Sequence, residues 1–362
     1  MAKKEKKQLT PREKAKKKRK NIIFFVIEIF ILLIMLIVLW GVLKVEKSEI
    51  ITFEDGDIIA SEEIKDMIQD ENSAMNGYRN IALFGVDSRE NGLNKNTRTD
   101  TIIIASINED TKEVKLVSVY RDTYLNMTNG TYNKSNAAYF QGGPKQAINM
   151  LNMNLDIYIK DYITVGFKGL IDTIDALGGI MIDVDSSEIS HLNNYQSTMA
   201  DDLKRSYTKV TDTGYQLLNG LQATGYCRIR YTLGDDFKRA ERQREVLMAV
   251  AEKAKKASPA TLSKIADEVF KNVSTSLKLD EILSLLVAIG DYTITDNAGF
   301  PETNMRTTGT IGKAGSCVIP ISLESNVVWL HQFLYGDDNY KVTSNVSEYS
   351  SKVYKDTSPY LK

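Results

Sequence analysis

The sequence predicts an α/β protein: an α-β-α sandwich with a central mixed sheet, preceded by one transmembrane helix. Three observations support this fold class. Short apolar runs bounded by turn residues, at 80–86, 102–107 and 114–119, are typical of buried strands. Residues 162–184 have the pattern of a strand, an apolar helix and a second strand, the unit from which layered α/β domains are built. Residues 22–43 form an apolar segment of membrane-spanning length.

The N-terminus is predicted to be a basic tail followed by a membrane span. Residues 1–20 carry eleven Lys or Arg against two Glu, so a net charge of -1 leaves about -10 on the rest of the 362-residue chain. Residues 22–43 contain one charged residue, Glu28, and are too long for the apolar region of a signal peptide. The positive-inside rule then places residues 1–21 in the cytoplasm and the following domain outside the cell. This position favours anionic lipid headgroups, and not nucleic acid, as partners of the tail.

Composition divides the rest of the chain into three parts. Residues 44–78 are polar and acidic, which predicts an extracellular stalk. Strand and helix patterns continue from 79 to 341, which predicts one globular domain. From residue 342 the chain is rich in Ser, and residues 342–362 are predicted to be a flexible tail.

The globular part is predicted to open with the strand at 80–86 and with a hairpin formed by 102–107 and 114–119. The polar residues 185–210 are predicted to be a surface excursion. The later elements are predicted to be a helix at 135–153, a strand at 162–167, a helix at 168–177, a strand at 180–184, a short helix after residue 220, a long helix ending near 256, helices at 261–270 and 280–289, a strand at 317–319 and a helix at 323–334.

Charged residues border the first three predicted strands. Asp87 follows the first strand, Asp100 precedes the second, and Arg121-Asp122 follows the third. Because ligands gather at strand ends and in the loops beside them, these residues are candidates for one site. Asp87 and Asp100 could both face one Mg²⁺ ion beside phosphate groups. The alternative is that each Asp only satisfies the backbone of its own turn.

Arginine is concentrated in residues 226–245. Five of the eleven arginines beyond residue 20 lie in this segment: Arg228, Arg230, Arg239, Arg242 and Arg244. Such a concentration favours an anionic ligand. The alternative is a solvated helix face with ordinary ion pairs, such as one between Arg242 and Glu245.

The local pattern in this segment indicates how the charges could converge. Alternation predicts a strand at 227–231 with Arg228 and Arg230 on one face. Asp235 is a candidate N-cap for a helix that begins near Phe237. On that helix Asp236, Arg239 and Gln243 lie at positions i, i+3 and i+7 and share a face. Guanidinium groups and an amide near a helix N-terminus suit phosphate or diphosphate.

Cysteine and histidine are too scarce for several kinds of chemistry. Cys227 and Cys317 are far apart in sequence and are compatible either with one disulfide or with two buried thiols. No Cys/His cluster has the spacing of a zinc site. With only His191 and His331 in the chain, a Ser-His-Asp or Cys-His mechanism has little support.

The order of the motifs resembles that of the LytR-CpsA-Psr family. The resemblance covers residues 79–335, and the predicted membrane anchor in front of the domain also matches. The motifs that carry it are Asp87-Ser88-Arg89, Arg98-Thr99-Asp100-Thr101, Ser118 to Thr123, Asn133 to Ala137, Val165 to Gly169, Leu177-Gly178-Gly179, Gly214 to Gly220, Arg228-Ile229-Arg230, Gly234-Asp235-Asp236 and Arg242-Gln243.

This resemblance implies a membrane-anchored phosphotransferase of a bacterium with a thick, Gram-positive type of wall. Such an enzyme would move a glycopolymer, wall teichoic acid or capsular polysaccharide, from a polyprenyl-diphosphate carrier to peptidoglycan. The resemblance further implies that the lipid tail lies in an apolar tunnel. The predicted helix at 168–177, with Phe167 before it, is a candidate wall of that tunnel, and ordinary core is the alternative.

The resemblance also implies roles for single residues. The metal pair for Mg²⁺ would be Asp87 and Asp100. The implied catalytic residues are Asp87, Arg121 and Asp122, with Asp87 and Asp122 as alternative general bases. The implied substrate-binding residues are Arg98, Arg121, Lys134, Arg228, Arg230, Arg239 and Gln243, with Arg242 as the rival of Arg239.

Two positions depart from the family pattern. Tyr120 stands where the family usually has Pro, and Leu221 stands where an acidic residue often follows the Asn-Gly motif. Neither departure removes an implied ligand. Two other functions stay open at this point: a non-catalytic sensor of lipid-linked envelope precursors, and a hydrolase of polyprenyl diphosphates.

Overall fold

The computed structural model describes residues 49–51, 53–54, 56–87, 93, 97–230, 235–258, 260–262, 265, 272–278, 281–282, 284–285 and 288–361. The predicted tail and transmembrane helix, at 1–43, lie outside the described residues, as do parts of the helices predicted at 261–270 and 280–289. Among the described residues, no helix combines the length and the hydropathy that a membrane span requires.

Strands and helices are numbered in chain order. The described strands are β1 (Glu49–Ile50), β2 (Tyr78–Val86), β3 (Thr99–Asn108), β4 (Glu113–Val119), β5 (Tyr124–Asn126), β6 (Tyr132–Lys134), β7 (Ile159–Gly166), β8 (Ile180–Val184), β9 (Gly214–Leu218), β10 (Val273–Thr275), β11 (Thr293–Phe300), β12 (Arg306–Ile311) and β13 (Gly315–Pro320). The described helices are α1 (Glu62–Met67), α2 (Asn136–Leu155), α3 (Phe167–Ala176), α4 (Ser186–Leu203), α5 (Gly220–Cys227), α6 (Asp235–Lys255), α7 (Leu323–Tyr335) and α8 (Ser344–Thr357).

A seven-stranded mixed sheet forms the centre of the fold, in the order β1-β10-β7-β2-β3-β4-β11. β2, β3 and β4 pair as antiparallel neighbours, which confirms the predicted hairpin of β3 and β4. β7 lies parallel to β2, and β11 lies parallel to β4. The mixed sheet predicted from the sequence is therefore confirmed.

Helices cover both faces of this sheet and complete an α-β-α sandwich. On one face, Phe84 belongs to a core that also contains Ile148 of α2 and Leu330 of α7. On the other face, Leu83 packs in a second core with Leu247 of α6. Since successive residues of a strand point to opposite faces, neighbouring residues of β2 supply both cores.

The segment predicted as a stalk, 44–78, belongs in part to the globular fold. β1 pairs with β10 in the central sheet, and the side chain of Ile64 in α1 is completely buried in the larger core. The amide of Ile59 also donates to Oδ1 of Asn149 over 2.8 Å. The apolar residues of this segment are interspersed with acidic ones, and this mixed composition does not reveal such packing in advance.

Helix α4 occupies most of the polar segment that was predicted to be a surface excursion. Asp185 and Glu188 form a capping box at its start, and Leu192 and Met199 are buried on its inner side. The strand predicted at 180–184 is present as β8, but β8 pairs with β9 in a separate two-stranded sheet and does not extend the central one.

The strand predicted at 227–231 is wrong. Cys227 is the last residue of α5, and Arg228 has a helical backbone conformation at the C-cap of that helix. A capping box between Asn219 and Gln222 fixes the start of α5. The alternation of apolar and charged residues therefore reflects the last turn of a helix and the segment that leaves it.

Two further features of the C-terminal part were not predicted. Residues 342–362, expected to be a flexible tail, contain α8, in which Val346 and Val353 are buried. Thr343 precedes that helix and donates to Asp156 from both its amide and its hydroxyl, each over 2.7 Å. β11 was also missed, because a strand that contains Asp296 and Asn297 reads as a loop.

Candidate active site

The two predicted metal-binding aspartates lie side by side at one edge of the central sheet. Val86 pairs with Thr99 and Gly85 pairs with Thr101, so Asp100 is the extra residue of a β-bulge. Asp87 comes directly after Val86, and both carboxylates line the same cavity. The bulge thus turns a strand residue into a site residue.

The arginines of the concentrated segment approach these carboxylates from two directions. Nη2 of Arg228 lies 3.9 Å from Oδ2 of Asp87, and Nη2 of Arg230 lies 3.6 Å from Oδ1 of Asp100. Arg239 and Gln243 reach the cavity from one face of α6, four residues apart as predicted. Two segments that are distant from β2 and β3 in sequence therefore bring positive charge to the strand ends.

Arg121 connects the aspartates on the sheet to the start of α6. Its Nη1 donates to Oδ1 of Asp100 over 2.6 Å, and its Nε donates to Oδ2 of Asp236 over 3.3 Å. The same Nε lies 3.6 Å from Asp122, which in turn pairs with Nζ of Lys134 at 3.1 Å. Arg121 is thus held by three carboxylates and does not itself line the cavity.

Asp100 is ionised in this environment. Burial raises the pKa of Asp100, but the guanidinium groups of Arg239, Arg121 and Arg230 outweigh it, so that the pKa lies below its ordinary value. Burial lowers the pKa of Arg121, and the carboxylates of Asp236, Asp100 and Asp122 outweigh that effect and raise it. Both members of the pair are therefore charged at neutral pH.

Arg239 has the geometry best suited to binding an anion. Its side chain is only 4% exposed, and Nη2 donates to Asp236 over 2.9 Å. Nε and Nη1 are buried and have no hydrogen-bond partner among the described residues. Burial, together with nearby Arg121 and Arg230, lowers the pKa of Arg239 to about 10 although Asp236 opposes the shift. A buried guanidinium with free donors is costly unless a ligand pairs with it.

A cavity of about 460 Å³ connects this charged cluster to an aliphatic interior. The charged end is lined by Asp87, Asp100, Arg228, Arg230, Arg239 and Gln243. The interior lies between the sheet and the helices α3 and α6 and is lined by Leu83, Ile103, Ile163, Leu170, Val246 and Val250. An amphiphile with an anionic head fits such a cavity, because charge and hydrocarbon each meet a matching wall.

The other predicted site residues lie outside the cavity wall. Arg98 is exposed, with its guanidinium carbon 5.7 Å from the ring centre of Phe140. Asp122 and Lys134 pair with each other beside Arg121. Arg242, the rival of Arg239, lies three residues further along α6, is buried and does not line this cavity; its Nε donates to Oε1 of Glu188 over 2.7 Å. In the described part of the chain Glu245, the partner named in the alternative interpretation, accepts a hydrogen bond from the hydroxyl of Tyr226 over 2.6 Å, while Arg242 pairs with Glu188.

Asp236 was predicted to share a helix face with Arg239 and Gln243 but was given no role in the site. It binds both Arg121 and Arg239 and so joins the two halves of the cluster. One further residue of the site was missed in the sequence. Tyr195 lines the cavity from α4. It was missed because its segment was interpreted as a surface excursion.

Both cysteines are buried free thiols. Cys227 lines the cavity, and burial raises the pKa of its thiol to about 12. Burial likewise raises the pKa of Cys317 to about 11. Of the two alternatives left open by the sequence, the structure has the free thiols, and neither is activated as a nucleophile.

The fold and the site together define an α/β protein with a cluster of arginine and aspartate side chains at one end of an apolar cavity. The chain belongs to the LytR_cpsA_psr family, whose model matches residues 51–310. The match begins within the segment predicted as a stalk, in agreement with the packing of α1.

The chain is similar in sequence and in structure to TagV of Bacillus subtilis. The polyisoprenyl-teichoic acid–peptidoglycan teichoic acid transferase TagV of Bacillus subtilis (strain 168) is 34% identical over 203 residues, which cover 54% of this chain and 49% of TagV. The chain thus spans about half the length of this curated relative. The crystal structure of B. subtilis TagV has 27% identity and a TM-score of 0.56, and the match covers 73% of this chain and 98% of that one.

A further solved structure has the same fold. It is the LytR-CPS2A-psr family protein YwtF (TagT) with bound octaprenyl pyrophosphate lipid. The TM-score is 0.55 at 20% identity, and the match covers 79% of this chain and all of the other.

Proposed function

We propose that the chain is a phosphotransferase that moves a glycopolymer from a polyprenyl-diphosphate carrier to peptidoglycan. The observation that carries this proposal is that an arginine cluster and an aliphatic interior line one and the same cavity. A polyprenyl diphosphate has the same two halves. The proposal is also supported by the similarity to TagV, a polyisoprenyl-teichoic acid–peptidoglycan teichoic acid transferase, and by the octaprenyl pyrophosphate bound in the TagT structure.

The diphosphate would bind to Arg228, Arg230, Arg239 and Gln243. The unpartnered Nε and Nη1 of Arg239 would donate to its oxygens, which offsets the cost of burying that guanidinium. The tail would lie between α3 and α6, against Leu170 and Val250. The family resemblance implied that α3 forms a wall of the lipid tunnel. In this arrangement Phe167 and Leu170 would form that wall, because they line the cavity. Ile171 and Ile174 are instead ordinary core residues.

Asp87 and Asp100 fit a Mg²⁺ site in chemistry and position. Mg²⁺ is commonly held by one or two carboxylates together with waters and substrate phosphates. Within the described part of the chain no group of three or more His, Cys, Asp or Glu forms a metal cage, so this pair would need such additional ligands. Bound there, Mg²⁺ would neutralise charge on the diphosphate oxygens.

The proposed reaction is a displacement at the phosphorus that carries the glycopolymer. A hydroxyl of peptidoglycan forms a new P–O bond, the bond to the bridging oxygen breaks, and polyprenyl phosphate leaves with the electron pair. Arg228, Arg230 and Arg239 stabilise the charge that develops on the phosphate oxygens. Arg121 does not reach the cavity, and its role here is to hold Asp100 and Asp236 in place.

The proton of the attacking hydroxyl needs an acceptor, and Asp87 is the better placed of the two predicted bases. Its side chain lines the cavity and is 38% exposed, so an acceptor from outside can approach it. Asp122 is held by Lys134 and lies behind Arg121. We assign Asp87 as general base and Asp122 as a residue that positions Arg121.

The proposal also includes the cellular location. Residues 22–43 would anchor the chain in the cell membrane, and the domain would face the wall on the outer side, where both carrier and peptidoglycan are available.

The direct test is incubation of the purified full-length chain with a polyprenyl-diphosphate-linked saccharide and a peptidoglycan fragment, with Mg²⁺ or with EDTA. We expect joining of sugar phosphate to the acceptor in the wild type, and its loss in Asp87→Asn and Arg239→Met. Arg205→Met is the matched control, since Arg205 pairs with Asp172 on the surface away from the cavity. Release of polyprenyl phosphate without joining would identify a hydrolase, and binding without either product would identify a sensor.

A further inference from the structure

Arg228 is held between two aromatic rings that come from different helices. Its guanidinium carbon lies 4.5 Å from the ring centre of Phe167, the first residue of α3, and 5.3 Å from that of Tyr195 in α4. All three side chains line the cavity. Cation–π contacts of this kind form within about 6 Å of a ring centre.

Few polar contacts fix the orientation of Arg228. Among the described residues, its charged neighbour within 4 Å is Asp87, at 3.9 Å, which is too long for a hydrogen bond. Arg121 differs in this respect, because it donates to Asp100 and to Asp236. The N–H groups of Arg228 therefore stay available for a ligand while the rings restrict the plane of its guanidinium.

We infer that Phe167 and Tyr195 are positioning residues for Arg228: the two rings hold its guanidinium at the charged end of the cavity with its donors directed to a diphosphate. Aromatic rings suit this task because they attract the cation and do not consume its N–H donors. Tyr195 acts through its ring, since within the described part of the chain no hydrogen bond of its hydroxyl enters the arrangement. This inference rests on the proposed function, in which Arg228 binds the diphosphate.

The two rings could either position Arg228 or only form part of the hydrocarbon wall, and binding of inorganic pyrophosphate distinguishes these roles. If they only form part of the hydrocarbon wall, their loss weakens binding of a ligand with a lipid tail and leaves inorganic pyrophosphate unaffected. If they position Arg228, their loss weakens binding of inorganic pyrophosphate as well, although pyrophosphate has no tail to contact them.

A double-mutant cycle tests the inference, with inorganic pyrophosphate as the probe and calorimetry on the full-length chain as the readout. We expect Tyr195→Leu to weaken pyrophosphate binding about tenfold, between the few-fold effect of an exposed cation–π contact and the roughly 30-fold effect of a desolvated one. Tyr195→Phe should bind as the wild type does. In an Arg228→Met background, Tyr195→Leu should have no further effect, because the residue it positions is gone. The same cycle with Phe167→Leu, and with Phe167→Tyr as the conservative variant, provides a second, independent result.

Several outcomes would overturn the inference. One is an undiminished effect of Tyr195→Leu in the Arg228→Met background, and another is a Tyr195→Phe variant that binds as poorly as Tyr195→Leu. A thermal melt of each variant checks folding, with Tyr215→Leu as the control for loss of a tyrosine that is 72% exposed. A wild type that binds no pyrophosphate would reject the proposed function itself, whereas binding with additive effects would reject only the positioning role.

Discussion

Nε of Arg242 donates to Oε1 of Glu188 over 2.7 Å, and both side chains are almost completely buried. This pair joins α6 to the start of α4, so that the helix carrying Arg239 is fixed against the helix carrying Tyr195. The two neighbouring arginines of α6 thus differ in kind, because Arg242 is neutralised by the protein and Arg239 has donors left over.

Breaking the buried pair should destabilise the fold. We expect Glu188→Ala to lower the free energy of unfolding by about 3–5 kcal/mol, because the charge of Arg242 would stay buried without its partner. Urea unfolding measures this change. Glu252→Ala, which removes the exposed partner of Lys255, is the control and should have little effect. Equal changes in the two variants would contradict the assignment of Arg242 to a structural role.

Replacing Arg239 should weaken ligand binding without lowering the stability of the fold. We expect Arg239→Met to weaken pyrophosphate binding at least about tenfold through loss of charge-assisted hydrogen bonds. Its melting temperature should be unchanged or higher, because a buried guanidinium with unpartnered nitrogens is removed. Calorimetry and thermal melts measure the two effects on the same samples. A strong loss of stability with unchanged affinity would show that Arg239 is structural.

The stability of the domain should depend on pH through His331. The ring is completely buried against Tyr340, and burial lowers its pKa to about 4 although a contact with the carbonyl of Leu155 opposes the shift. In the unfolded chain its pKa is about 6.5, so between these values the unfolded state binds a proton that the folded state does not. The stabilisation is complete above pH 6.5 and decreases as the pH falls towards 4, by about 3 kcal/mol in total.

Urea unfolding at several pH values between 4 and 7 measures this slope. The control is His331→Gln, which removes the titrating ring and should flatten the dependence in this window, after allowance for the carboxylates common to both proteins. Identical slopes in the two proteins would contradict the prediction.

Removal of the C-terminal helix should destabilise the domain. We expect a chain that ends at residue 341 to lose at least about 3 kcal/mol of stability, since burial of Val346 and Val353 is lost. The buried carboxylate of Asp156 would also lose both hydrogen bonds from Thr343. Thermal melts measure the loss, and Tyr354→Ala, at a side chain that is 61% exposed, is the control. A truncated chain as stable as the full one would mean that the segment is a dispensable tail.

Continuous apolar runs predicted the strands that Asp87 and Asp100 border, and the charged residues at the ends of these strands indicated one site. These signals are local, because a buried strand is a continuous apolar run and the residue after it is free to bind a ligand. Arg239 and Gln243 were found for the same reason, since their spacing alone places them on one face of a helix. The distinction between Arg239 and Arg242 was beyond sequence reasoning, because it depends on Glu188 from a distant helix.

The errors have identifiable physical causes. A polar composition suggested a surface excursion where α4 forms, although Asp185 and Glu188 have the spacing of a capping box. The same signal, Asn219 and Gln222, marks the start of α5, which was followed by a wrongly predicted strand. For α4 the helix start was present in the sequence and composition obscured it, whereas for α5 the helix was predicted and alternation obscured where it ends.

The cavity passes from fixed charge to hydrocarbon within one protein wall, from Arg239 and Gln243 to Val246 and Val250 along the same helix. A bilayer presents the same gradient between its headgroups and its acyl chains. When a carrier lipid moves from the membrane to the protein, its head would pass from a polar layer to the charged end of the cavity. Its tail would pass from the acyl chains to the aliphatic interior. The cavity would then reproduce the polarity gradient of a membrane interface within a protein. Added salt would screen the electrostatic binding of the anionic head, and it would leave the apolar contacts of the tail intact.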